Sequence, residues 1–145
     1  MGALGWTGCA LILGWAAALS VVDIRVRRLP NALTLGGAVA ILAAATLSGH
    51  GAPAWLGSVV LAGVYLVVHL AAPTGLGAGD VKLAIGLGAL TGALGPEVWG
   101  LAALGAPILT AAAGIAGVLG GRRGPVPHGP SMCAASLSIV GLAVF

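Results

Sequence analysis

Long apolar runs, broken by short polar or glycine- and proline-rich stretches, divide this chain into six segments, at roughly 4–22, 31–48, 54–72, 81–95, 98–119 and 130–145. A membrane-crossing helix needs about 20 apolar residues, within a range of about 17–25. The first, second, third and fifth segments fit, and the sixth is a little short. The fourth has about 13 apolar residues after Lys82, or about 20 Å of helix. That falls short of a hydrocarbon core of about 30 Å. If this segment spans, the glycine-rich turn before it sits below the headgroups. Irregular backbone is tolerated there only when protein shields it or it lines a wet cavity. The pattern predicts an all-α, polytopic integral membrane protein with about six transmembrane helices. It forms a single domain over residues 1–145, with Asp80 recessed in the membrane.

Composition supports the same class. Of the 145 residues, 59% are hydrophobic and 6% charged, against about 25% charged in a soluble domain. Such a chain cannot cover a water-facing surface. The 26 glycines suit close helix approach in lipid, and Gly88/Gly92, Ala113/Gly117 and Gly117/Gly121 read as small-residue packing pairs. Cys9 and Cys133 form no C-x-x-C pair and read as small buried hydrophobes. Residues 1–20 carry no basic residue ahead of their apolar stretch, so they read as an uncleaved first helix.

Charge placement orients the helices. All six basic residues, Arg25, Arg27, Arg28, Lys82, Arg122 and Arg123, fall in alternate connections. The positive-inside rule makes that side cytoplasmic and puts both termini outside. Trp6, Trp55 and Trp99 then fall near the outer ends of their segments, as an interfacial belt would. The arginines read as topology determinants that touch anionic lipid. A net charge of +3 from nine charged side chains is no nucleic-acid footprint, which needs a clustered basic face.

Asp23 and Asp80 are the only acids among the first 96 residues, and this topology puts both at the cytoplasmic end. Carboxylates beside membrane helices are costly and mark function. Two held close share a proton: one takes a proton from water while the other polarises a carbonyl or protonates a leaving amine. A plainer reading balances each acid with its basic neighbours, Arg27 for Asp23 and Lys82 for Asp80. Gly75, Gly77 and Gly79 favour the first reading, because glycine permits unusual backbone and close approach by a peptide. Glu97, at the opposite face, reads as a solvated helix-start residue. Tyr65 and His69 share one face of the third segment, where His69 approaches the cytoplasmic end, and Pro107 reads as a kink in the fifth.

Three stretches resemble one family. Gly77-Ala78-Gly79-Asp80-Val81-Lys82-Leu83 is similar to the G-x-G-D-x-K-L form of the G-x-G-D motif of membrane aspartyl proteases. Asp23-Ile24-Arg25-Val26-Arg27-Arg28-Leu29-Pro30-Asn31 resembles the first catalytic segment of the type IV prepilin peptidases. Val126-Pro127-His128-Gly129-Pro130 resembles the Pro-aromatic-Gly-Pro signature of their last helix, with His128 in the aromatic's place. The resemblance spans essentially the whole chain. It implies a prokaryotic, multi-pass enzyme that cuts the basic leader from type IV prepilins or pseudopilins at the cytoplasmic membrane face. Asp23 and Asp80 carry over as the catalytic pair, and no metal or cofactor is required. Gly77, Gly79, Lys82, Pro30, Pro127, His128 and Pro130 would shape the site. The first basic connection is about eight residues long, so the cysteine-rich insert of long members is missing. That implies a peptidase core without N-methyltransferase activity. The rival reading is a non-enzymatic membrane subunit for transport or pilin assembly. Association into a homo-oligomer is left open.

Overall fold

The computed structural model describes residues 3–122 and 124–144; Arg123 lies outside them. They form six helices and no strand: α1 (Ala3–Val26), α2 (Asn31–Leu47), α3 (Gly51–Ala71), α4 (Ala78–Ala93), α5 (Pro96–Leu119) and α6 (His128–Val144). The all-α expectation holds, but the helices come in two lengths. Residues Gly5–Val26, Gly51–Ala71 and Pro96–Leu119 are long and apolar enough to cross a membrane. By contrast α2 and α6 have 17 residues each and α4 has 16. At 1.5 Å per residue a 17-residue helix spans about 26 Å. Three helices therefore meet the length criterion by themselves, rather than six. Each short helix begins at a motif-bearing turn, ahead of Asn31, Ala78 and His128.

The shortest helix is the central one. Most of α4 is buried, from Asp80 and Leu83 through Gly92, and it touches α2, α3, α5 and α6. The exposed apolar surface falls instead to the helices around it, with Leu11, Val59, Val67, Leu104, Ile115 and Val118 on the long ones and Val39 and Leu142 on α2 and α6. The most extensive helix contact is between α3 and α4, and glycine makes it possible. A Cβ on Gly88 would lie 2.5 Å from the Gly57 carbonyl oxygen, and one on Gly92 would lie 2.7 Å from that of Pro53. The Gly88/Gly92 packing pair is thus real, whereas Gly117/Gly121 is not. Gly121 sits beyond α5 at φ +76 with open space around it. There it closes the helix: Gly121 N–H donates to Val118 O and Arg122 N–H to Gly117 O, the two bonds of a Schellman cap.

The tryptophans divide similarly. Trp6 and Trp55 are more than half exposed. Trp99 instead donates Nε1–H to Gly57 O (3.0 Å) and joins α5 to α3. Trp15 donates to Leu33 O (2.7 Å) and fills the space left by Gly37 and Gly86, locking α1, α2 and α4 together. Pro107 lies inside an α5 that stays continuous. The fourth helix starts at Ala78, three residues before the predicted boundary, because Asp80 itself closes its first turn.

Candidate active site

Asp23 lies in the last turn of α1, and Asp80 in the first turn of α4. Both are 8% exposed, and the charge of Asp23 acts on Asp80. The fold therefore brings the two acids to one end of the bundle. Each is oriented by a backbone amide. Gly77 N–H donates to Asp80 Oδ2 (3.2 Å) while Asp80 N–H donates to Gly77 O (3.1 Å), a reciprocal closure of the helix start. Gly129 N–H donates to Asp23 Oδ2 (3.1 Å). A Cβ at Gly129 would stand 2.6 Å from that oxygen, so the residue here must be glycine for the carboxylate to stay in place.

The glycines before Asp80 act through space, not through unusual backbone. Gly77 is extended at φ −75, and Gly75 and Gly79 are not among the positive-φ residues. A Cβ on Gly79 would press on the Leu29 side chain at 3.2 Å. Removing it lets the Asp23–Asn31 segment lie against the start of α4. Pro30 forms the N-cap of α2 in extended conformation, as its fixed φ suits. Lys82 does not face Asp80: its Nζ donates to Asn31 Oδ1 (2.8 Å). It ties the second aspartate's helix to the first aspartate's loop.

Behind the acids, His128 joins three helices. Thr110 of α5 donates its hydroxyl to Ala106 O (3.1 Å), so its oxygen accepts from His128 Nδ1–H (2.6 Å). In the neutral ring, Nε2 then carries no proton and accepts from the Tyr65 hydroxyl of α3 (2.9 Å). On this account His128 is a neutral cross-brace whose next residue holds Asp23. Pro127 precedes α6, and Pro130 lies in its first turn, where a missing N–H costs no helix bond. His69 Nδ1–H donates to Leu76 O (2.6 Å) and fixes the glycine-rich loop to the end of α3. Among the described residues no group of three or more His, Cys, Asp or Glu is placed to hold a metal ion.

An apolar groove of ≈ 560 Å³ between α3 and α5 runs up to this brace, lined by Val64, Tyr65, Leu76, Leu104, Pro107 and His128. Glu97 is exposed at the start of α5, remote from the pair. The sequence reading quoted Gly129 within the third motif but gave it no role of its own, and it passed over Thr110. Gly129 had a usable signal, a glycine enclosed by prolines at a helix start; Thr110 had none.

Comparison with curated proteins and with solved structures returned no match. The model of the type IV leader peptidase family matches residues 10–121. This stretch contains both aspartates and stops before His128. With most of the chain covered, from α1 to the end of α5, this protein belongs to the type IV leader peptidase family.

Proposed function

We propose that the protein is an aspartic endopeptidase that removes the basic leader from type IV prepilins or pseudopilins at the cytoplasmic face of a prokaryotic membrane. Asp23 and Asp80 are its catalytic pair. The observation that carries this reading is the convergence of two buried carboxylates from α1 and α4, each aimed by a backbone N–H. One carboxylate, ionised, takes a proton from water as its oxygen attacks the scissile carbonyl. The other, protonated, polarises that carbonyl, and the proton held by the pair passes to the leaving amine as the peptide bond breaks. Gly77, Gly79, Lys82, Pro30, Pro127, His128 and Pro130 shape the site around them. The whole chain forms one membrane-embedded domain crossing the bilayer six times, with both termini outside, and needs neither cofactor nor N-methyltransferase activity.

The burial of both carboxylates, beside the starts of the short helices α2 and α4, supports a site just below the membrane surface, where a leader meets a transmembrane helix. There, exclusion of water strengthens every polar contact. The α3/α5 groove gives the site the apolar wall that a hydrophobic substrate segment requires. The test is co-expression with a prepilin, following its size shift for wild type, Asp23→Asn and Asp80→Asn. Each substitution lowers cleavage by roughly a hundredfold or more, with the protein still present in membranes. Near wild-type cleavage by either variant would end the paired mechanism.

A further inference from the structure

We propose that the pocket between the C-terminal ends of α1 and α5 binds the phosphate headgroup of an anionic phospholipid. This inference is independent of the peptidase reading. The pocket holds ≈ 340 Å³ and is lined by Arg27, Arg122, Gly114, Gly117, Val118 and Val126. Its two arginines lie just beyond the ends of two different helices, α1 and α5, and each is set by a helix-ending motif. Arg27 adopts φ 53, a left-handed conformation uncommon for a residue with a side chain. Its N–H closes α1 onto Asp23 O (2.9 Å). Arg122 is drawn back onto Gly117 by the Schellman cap.

Charge decides the occupant. The chain has three acids. Glu97 opens the 24-residue α5, about 36 Å from the end that carries Arg122. Asp80 is buried and bonded to Gly77. Asp23 interacts with Arg27, but its carboxylate also accepts from Gly129. Two guanidinium groups therefore share one pocket with no more than a single engaged carboxylate nearby. A guanidinium matches phosphate in a two-pronged geometry.

Below the arginines the pocket turns apolar, along Ala113, Gly114 and Gly117. A Cβ on Gly114 would meet the loop side chain of Val126 at 3.8 Å, and one on Gly117 would meet Arg122 Cβ at 3.9 Å, rather than a packed helix. Ile115, Val118 and Leu119 beside them are largely exposed, so the pocket opens onto the lipid-facing surface. A phosphate above and an acyl chain below describe a phospholipid better than a free anion.

The experiment is native mass spectrometry of the purified full chain in detergent, titrated with dioleoyl phosphatidylglycerol or dioleoyl phosphatidylcholine. Wild type retains phosphatidylglycerol in preference to phosphatidylcholine. Arg27→Gln and Arg122→Gln each weaken that retention about fivefold. Arg25→Gln, which removes the same charge from an exposed position outside the pocket, leaves it unchanged. Equal losses in all three variants, or no preference for phosphatidylglycerol in wild type, would overturn the proposal. Displacement of the lipid by millimolar inorganic phosphate would overturn the lipid assignment. Should Arg27→Gln fail to accumulate, Arg122→Gln decides alone, because Arg122 is exposed beyond the end of α5.

Discussion

A methyl group at position 129 would lie 2.6 Å from Asp23 Oδ2, closer than any real contact, so Gly129→Ala must displace the carboxylate. Misplacing a reacting group by about 1 Å costs on the order of a hundredfold in rate. Gly129→Ala is therefore expected to lower prepilin cleavage by that order while membrane accumulation stays near wild type. The Tyr65–His128 hydrogen bond gives a milder expectation. Tyr65→Phe removes one neutral hydrogen bond, worth about 1 kcal/mol. His128→Phe removes both bonds of the cross-brace. Melting of the purified protein should show the double variant less destabilised than the sum of the single ones, because the two share one interaction; simple additivity would dissolve the brace. At this scale the sequence marked Asp23, Asp80 and His128. It assigned Lys82 to the neighbourhood of Asp80, whereas the side chain reaches Asn31. Nearness in sequence ranks partners poorly when about half a helical turn separates the directions of two side chains.

Helix contacts follow the same logic on a larger scale. Gly57, Gly88 and Gly92 let the backbones of α3 and α4 touch, which in lipid replaces the hydrophobic drive that water would supply. Gly88→Leu would push its side chain into the Gly57 carbonyl, at a cost of about 1–3 kcal/mol or more. Gly63, on the same α3, has open space around it, so Gly63→Leu should be nearly neutral. Comparing the two variants by thermal melting in detergent tests whether glycine position, rather than glycine content, holds the bundle together. The sequence did not separate these positions: Gly88/Gly92 and Gly117/Gly121 share one spacing, yet the first pair meets a helix and the second includes a chain-reversing cap.

Across the whole molecule, long and short helices alternate, and the three motif turns, each ahead of a short helix, share one end of the bundle. If that end faces the cytoplasm, the connections near His50 and Thr74 lie on opposite sides of the membrane. With Cys9 and Cys133 replaced, a single cysteine at His50 should react with a membrane-impermeant maleimide in intact cells. One at Thr74 should react only after the membrane is opened. The reverse labelling would invert the orientation and remove the basis for a cytoplasmic substrate.

Apolar length, together with proline, glycine and charge at the breaks, was enough to specify six helices and to place their ends to within about four residues. The order of the motif residues placed the two aspartates at one end. These are local or summed properties of the chain, and they survive without knowledge of neighbours. What only the tertiary structure decided is which face of each helix meets protein. In water, a polar face opposite an apolar one would announce that choice. In lipid both faces are apolar, so no periodic signal marks them. The central burial of α4, the amide of Gly129 on Asp23 and the reach of Thr110 to His128 depend on how those faces pack.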